Sequence, residues 1–209
     1  MNVLIVPVGM LGTNCYILAC KDNSCALIDP GGQAEKLASI LEQRQYTPKY
    51  ILFTHGHWDH TGAAKALMEK YPQAECYIGK GDKELLVDKS KMISPPPSVN
   101  ENDLYIPEAK ELEDGQELML GELKIKVMET PGHSLGSVCY ICEDVIFSGD
   151  TLFFENVGRC DLYGGNLDTL RGSLSKLCGL EGGYTVYPGH GEATTLDHER
   201  KHNYYIQNR

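Results

Sequence analysis

The sequence predicts a layered α/β fold: two sheets packed face to face, with helices on the outside. Three observations lead there. Short apolar runs bounded by turn residues recur along the chain. Stretches between them carry apolar side chains at helical spacing. Histidines and aspartates suited to metal binding sit just after apolar runs, where a strand, a functional loop and a helix follow one another.

In order, Met1–Val8 reads as a first strand, followed by short strands at Asn14–Cys20 and Cys25–Ile28, the latter ended by Asp29-Pro30-Gly31-Gly32. Residues 34–43 place Leu37, Ile40 and Leu41 on one helical face. Tyr50–Phe53 is a buried strand that delivers a histidine-rich run, and residues 63–70 return as a helix. Lys80–Lys91 is expected to be another helix, stopping before Pro95-Pro96-Pro97. Residues 94–107 are proline-rich and aperiodic, either a lid or binding loop or a plain surface excursion. Strands resume after Gly121, where Leu123, Ile125 and Val127 alternate with polar neighbours. Val138–Ile141 and Val145–Phe147 form a hairpin about Glu143-Asp144, and residues 167–177 a helix capped near Asn166 or Asp168. Thr185–Tyr187 is the last expected strand, and residues 195–207 the last helix. One domain over residues 1–209 accommodates all of it.

Composition narrows the function. Hydrophobic residues make up 42%, enough for a sizeable core, and the formal net charge is −10. That charge repels nucleic acid and acidic membrane surfaces, so neither is an expected partner. No apolar run approaches the roughly 20 residues of a membrane span, and the first residues lack a basic leader. The eight cysteines are therefore expected reduced, in a cytoplasmic protein. Cys139 and Cys142 have C-x-x-C spacing but fall on a strand, where an odd separation puts them on opposite faces.

Seven residues dominate the chain: His55, His57, Asp59 and His60 in Thr54-His55-Gly56-His57-Trp58-Asp59-His60, then His133, Asp150 and His190. Each of the later three sits beside glycine in a tight small-residue turn, which lets the backbone bend sharply and aim the side chain inward. Imidazole and carboxylate ligands without thiolates suit a catalytic zinc, iron or manganese centre rather than a closed structural zinc.

With the runs Leu11–Tyr16, Leu27–Gly31, Thr54–Gly62, Thr130–Ser134, Ser148–Phe153 and Tyr187–Gly191, the chain resembles the metallo-β-lactamase superfamily over nearly its whole length. Within it, the likeness is to glyoxalase II (hydroxyacylglutathione hydrolase) in a short form. The resemblance implies a four-layer αββα sandwich and two divalent metal ions, zinc first, with iron or manganese as alternatives. It implies that His55, His57 and His133 hold one ion, that Asp59, His60 and His190 hold the other, and that Asp150 bridges them around a shared hydroxide. Asp59 and Asp150 then count as catalytic as well as ligating. Asp29 lies behind the ligands and hydrogen-bonds the metal loop, or is simply the turn residue of Asp-Pro-Gly.

The implied reaction is hydrolysis of a small-molecule thioester such as a hydroxyacyl-glutathione. A thiolate is a good leaving group, since its acid has a pKa of about 8.5 in free cysteine, and needs no strong general acid. Secreted zinc β-lactamases commonly have cysteine at the place of Asp150 and an export signal, and both points oppose that member. Within the fold, a mononuclear-iron persulfide dioxygenase and a lactone hydrolase are the rivals, and a non-catalytic metal protein is opposed by the intact ligand set. Arg159, in Gly158-Arg159-Cys160-Asp161, either meets a substrate carboxylate through its planar fork or pairs with Asp161. His198 and His202 read as a solvated helix face and Trp58 as a cap on the pocket. Self-association into a homo-oligomer is left open, as are the acyl group, the thiol and the native metal.

Overall fold

The computed structural model describes residues 1–207. Period-two alternation, traced along its strands, sorts the side chains between layers. On β2 (Thr13–Ala19), Cys15, Ile17 and Ala19 face one way and Tyr16 and Leu18 the other. β3 (Ser24–Ile28) and β4 (Thr47–Leu52) repeat the division. With β1 (Asn2–Val8), β5 (Glu75–Gly79) and β6 (Lys110–Leu112) they make a six-stranded sheet in the order β1-β2-β3-β4-β5-β6. The second sheet has the order β12-β11-β10-β9-β8-β7. It comprises β7 (Glu117–Leu120), β8 (Leu123–Glu129), β9 (Val138–Cys142), β10 (Val145–Gly149), β11 (Thr185–Pro188) and β12 (Thr194–Thr195).

Three apolar layers then give a four-layer αββα sandwich. The inner layer joins the sheets through Tyr16, Ile28 and Leu52 from one and Val127, Tyr140 and Phe147 from the other. α1 (Ala34–Arg44) and α3 (Ala64–Lys70) cover the outer face of the first sheet through Leu37, Leu41 and Leu67. α4 (Leu167–Cys178) and the C-terminal helices cover the second through Leu170, Leu174 and Ile206. Cys139 falls in the outer layer and Cys142 in the inner one, as strand geometry requires. Among the described residues no helix is long and apolar enough to cross a membrane.

Several expected elements differ. Lys80–Lys91 is not an α-helix but a short 3-10 helix at Lys80–Leu86. Gly79 and Gly81 press on the backbone around Gly136 there, and the buried Asp82 carboxylate bonds neighbouring loops instead of facing solvent. The expected helix over 195–207 is broken into α5 (Leu196–His202) and α6 (Tyr204–Gln207). At the break, buried Asn203 donates its side-chain amide to the Asn156 carbonyl and to Glu199. Thr185–Tyr187 is not the last strand, because β12 pairs beyond it. β5, β6 and β7 lie in stretches where no strand was expected, although Cys76-Tyr77-Ile78 is an apolar run and Glu117–Leu120 alternates; residues 94–107 hold only a single 3-10 turn, Glu101–Leu104. The α4 cap is Asn166, whose side chain accepts from the Thr169 N–H.

Candidate metal centre

Strand ends converge at one edge of the sandwich. β4 runs into Thr54-His55, and α2 (Trp58–Thr61), a single helical turn, carries Asp59 and His60. β8 is antiparallel to β9, β9 to β10, and β10 parallel to β11. The three strands β8, β10 and β11 therefore point the same way, and His133, Asp150 and His190 follow their carboxyl ends. Small residues permit the approach at two points. A Cβ on Gly189 would lie 2.2 Å from Asp150 Oδ1, and Gly149, at φ +49°, would put one 2.2 Å from Thr54 Oγ1.

The seven predicted ligands meet there. His133 Nε2 lies 3.3 Å from His55 Nε2 and 2.9 Å from His57 Nδ1. Across the site, Asp59 Oδ2 is 3.4 Å from His60 Nε2 and 3.2 Å from His190 Nε2, with 3.3 Å between those two nitrogens. Asp150 stands between the groups, Oδ2 at 3.6 Å from His133 Nε2 and Oδ1 at 3.5 Å from His60 Nε2. Donors held at about 2.0–2.1 Å around a tetrahedral zinc sit about 3.4 Å from one another, so both triads have the spacing of a ligand shell. Asp150 Oδ1 is buried with no hydrogen-bond partner among the described residues, a cost of about 1–3 kcal/mol unless a cation meets it. The residues present fit two divalent ions.

Neighbouring groups set the tautomers. His60 donates Nδ1–H to Asp29 Oδ2 at 2.9 Å, and His133 donates Nδ1–H to the Arg159 carbonyl at 2.7 Å. Thr54 gives its hydroxyl proton to Asp29 Oδ2 (2.6 Å) and so accepts from His55 Nδ1 at 3.1 Å. In all three rings Nε2 is thereby the nitrogen presented to a cation. Asp29 also accepts the Thr54 N–H at 2.7 Å, which fixes the first residue of the metal loop. Its positive φ of 53° makes it a turn residue as well; the two expected roles coexist.

The electrostatics are split between the triads. Burial, then the neighbouring His133 and His60, pushes His57 down to about 3, and burial likewise holds His55 well below its usual value. These rings are neutral and ready to ligate. Burial works against protonation of His60 too, but the carboxylates of Asp59, Asp150 and Asp29 hold it up to about 10. His190 is raised against its own burial by Asp59 and Asp150. A cation must displace those protons. At pH 7, zinc loading of metal-free protein is expected to release protons, read by calorimetry in buffers of different ionisation enthalpy. Heats that do not depend on the buffer contradict this.

Arg159 lines the metal cleft, but its guanidinium forks onto Asp161 with two contacts of 2.7 Å. His198 and His202 stay apart from the centre, with His198 Nε2 2.9 Å from Glu155. Trp58 is buried beside the cleft.

Three positioning groups were not anticipated from the sequence. Asp82 accepts from the Gly56 N–H (2.8 Å), the Gly136 N–H (2.6 Å) and the Ser134 hydroxyl (2.6 Å), tying the His55–His57 loop to the His133 loop. Asn14 donates to the carbonyls of Pro188 and Gly191 and so grips the turn holding His190. Thr13 donates to Asp59 Oδ2 at 3.1 Å. Asp82 sits in Lys80-Gly81-Asp82-Lys83-Glu84, where charged neighbours at a helical spacing gave no sign that this acid is buried.

The family model of the metallo-beta-lactamase superfamily matches residues 8–190. The chain is 31% identical to hydroxyacylglutathione hydrolase GloC of Haemophilus influenzae over 100% of both. Among solved structures it is similar to BLEG-1 B3 metallo-beta-lactamase, at TM-score 0.88 and 35% identity over 98% of this chain and 99% of that one. It is also similar to TTHA1623 in a di-iron-bound form, at TM-score 0.82 and 33% identity over 97% and 100%. The order of strands, the converging ligands and these matches agree: the chain belongs to the metallo-beta-lactamase superfamily.

Proposed function

We propose that this chain is a metal-dependent thioesterase acting on a hydroxyacyl thioester. The observation that carries the reading is the lining of the metal cleft. Its acids and imidazoles (His57, Asp59, His133, Asp150 and His190) all belong to the ligand set, and the rest is Leu11, Trp58, Ile93, Ser94, Arg159 and Leu162. No side chain there is left over to protonate a departing amine or alkoxide. A thiolate leaves without that help. The 31% identity to GloC along both whole chains supports the same choice.

When bound, a pair of divalent cations lowers the pKa of water toward ~7 and polarises a carbonyl. The chain's own residues supply the rest. Asp29 and the Arg159 carbonyl keep the Nδ1 protons of His60 and His133, Trp58 and Leu11 exclude water from one wall, and Arg159, which lines the metal cleft, reaches a carboxylate on the acyl part of the substrate by leaving Asp161. Water's oxygen bonds to the acyl carbon, the C–S bond breaks, and carboxylate and thiol depart. Zinc is the first choice of metal; the likeness to a di-iron protein keeps iron next. Eight cysteines free of disulfides suit a reducing cytoplasm.

The test is thiol release from S-lactoyl-glutathione and shorter lactoyl thioesters, beside a β-lactam and a lactone, on protein with quantified zinc, iron and manganese. Faster turnover of a thioester supports the proposal. Preference for the β-lactam, in keeping with the likeness to BLEG-1, defeats it, as does one iron per chain with oxygen uptake on a persulfide. Arg159→Ala is expected to raise KM roughly tenfold for a carboxylate-bearing substrate, the worth of one exposed charge-assisted contact, with kcat little changed.

A further inference from the structure

A cavity of about 570 Å³ lies beside the metal cleft, on the far side of Trp58. This is within the range of small-molecule sites. The same three segments wall both spaces. In the turn after β1, Leu11 faces the metal cleft and Met10 the cavity; Trp58 lines both; in the proline-rich segment, Ile93 and Ser94 belong to the cleft and Ser98, Val99 and Asn100 to the cavity. Trp58 is common to both linings, so a molecule reaching from the metal ligands into the cavity would pass along it.

We infer that this cavity holds the remote part of the thiol carrier, and that it selects a carrier without carboxylates, one ending in an ammonium or in neutral hydrogen-bonding groups. The inference rests on the thioesterase reading. Its polar lining is the Gln33 and Asn100 amides, the Ser98 hydroxyl and the Asp103 carboxylate. Asp103 is the one charged side chain among the lining residues. The nearby Lys65 is turned to the Asn102 carbonyl, at 2.9 Å. Glutathione brings two carboxylates against one ammonium to its far ends, so it meets this anionic wall with a net negative charge. An ammonium meets Asp103 as a partner, and amides or hydroxyls meet Gln33, Ser98 and Asn100. The irregular 94–107 segment thereby acquires a task as one wall of the carrier site.

Trp58 is the single tryptophan of the chain, so its emission reports binding beside it independently of turnover, and cavity substitutions that do not line the metal cleft assign the signal to the cavity. The experiment titrates metal-loaded protein with three S-methyl thioethers: of glutathione, of N-acetylcysteamine, and of β-alanyl-cysteamine, which ends in an ammonium. The expected result is a saturable change in Trp58 emission with the β-alanyl compound binding at least about tenfold more tightly than the glutathione one. Asp103→Lys, at an exposed rim position, is expected to reverse that order, and Ser98→Phe, which keeps Trp58 the single tryptophan, to weaken the β-alanyl compound relative to the short N-acetyl one. Equal or tighter binding of the glutathione thioether, or an order unmoved by Asp103→Lys, overturns the inference. Lactoyl thioesters of the same carriers are assayed in parallel. If they are hydrolysed while the binding order fails, only the carrier assignment falls; if none is hydrolysed, the thioesterase reading falls and takes the assignment with it.

Discussion

Asp150→Ala is expected to lose at least one of two bound metal ions and at least roughly 10³-fold in kcat/KM, about the 4 kcal/mol that one well-placed group supplies at a developing charge. The reason is position. Asp150 presents a carboxylate oxygen to each triad, 3.6 Å from His133 Nε2 and 3.5 Å from His60 Nε2. Without it three imidazoles remain on one side and Asp59 with two imidazoles on the other. Atomic emission on desalted protein reads the metal, and thiol release reads the rate. Full metal content with an ordinary rate refutes the bridging role. Because Asp150 follows β10 in a turn rather than filling the core, the variant is expected to stay folded.

Asp82→Ala is expected to act through the scaffold instead. Three donors converge on this buried carboxylate, and its burial raises its pKa against the bonds from Ser134, Gly56 and Gly136. Removing it strands the Gly56 and Gly136 N–H groups, at about 3 kcal/mol for the set. In a chain of this size that corresponds to a melting temperature roughly 10 °C lower. Metal affinity is expected to fall about 10–100-fold, as for other groups that orient ligands from behind. Asp82→Asn keeps one acceptor and turns an amide N–H₂ toward a donor, so a smaller loss in the same direction is expected. Calorimetric melting with a zinc titration decides it; unchanged affinity in a folded Asp82→Ala protein removes the positioning role.

The contrast between these two acids explains what the sequence discloses. Asp150, His133 and His190 were legible because each lies in a glycine-flanked turn after an apolar run. The H-x-H-x-D-H stretch was legible because four ligands in six residues have no other economical use. The inner strands were legible for a similar local reason: in Thr13–Ala19 and Val138–Cys142 each residue is buried, and Cys15–Ala19 and Val138–Cys142 are predominantly apolar runs. Edge strands carry no such mark. Lys110–Leu112 is three residues with two exposed, and its pairing with β5 is set by the sheet rather than by its own pattern. Asp82 was illegible for a deeper reason. Its partners are 26, 52 and 54 positions away, so its role exists only once two loops have met. Asn14 is the intermediate case: its run marked the family, but its grip on the Pro188 and Gly191 carbonyls is seen only in the fold.

Two neighbouring cations clasped by these seven side chains would give the protein its chemistry. Crystals of the zinc-loaded protein, measured on both sides of the zinc absorption edge, test it most directly. The expected anomalous map has two peaks. One lies about 2.0–2.2 Å from the nitrogens of His55, His57 and His133, the other at that distance from donors of Asp59, His60 and His190, with an Asp150 oxygen on each. A single peak, or peaks away from these side chains, contradicts it.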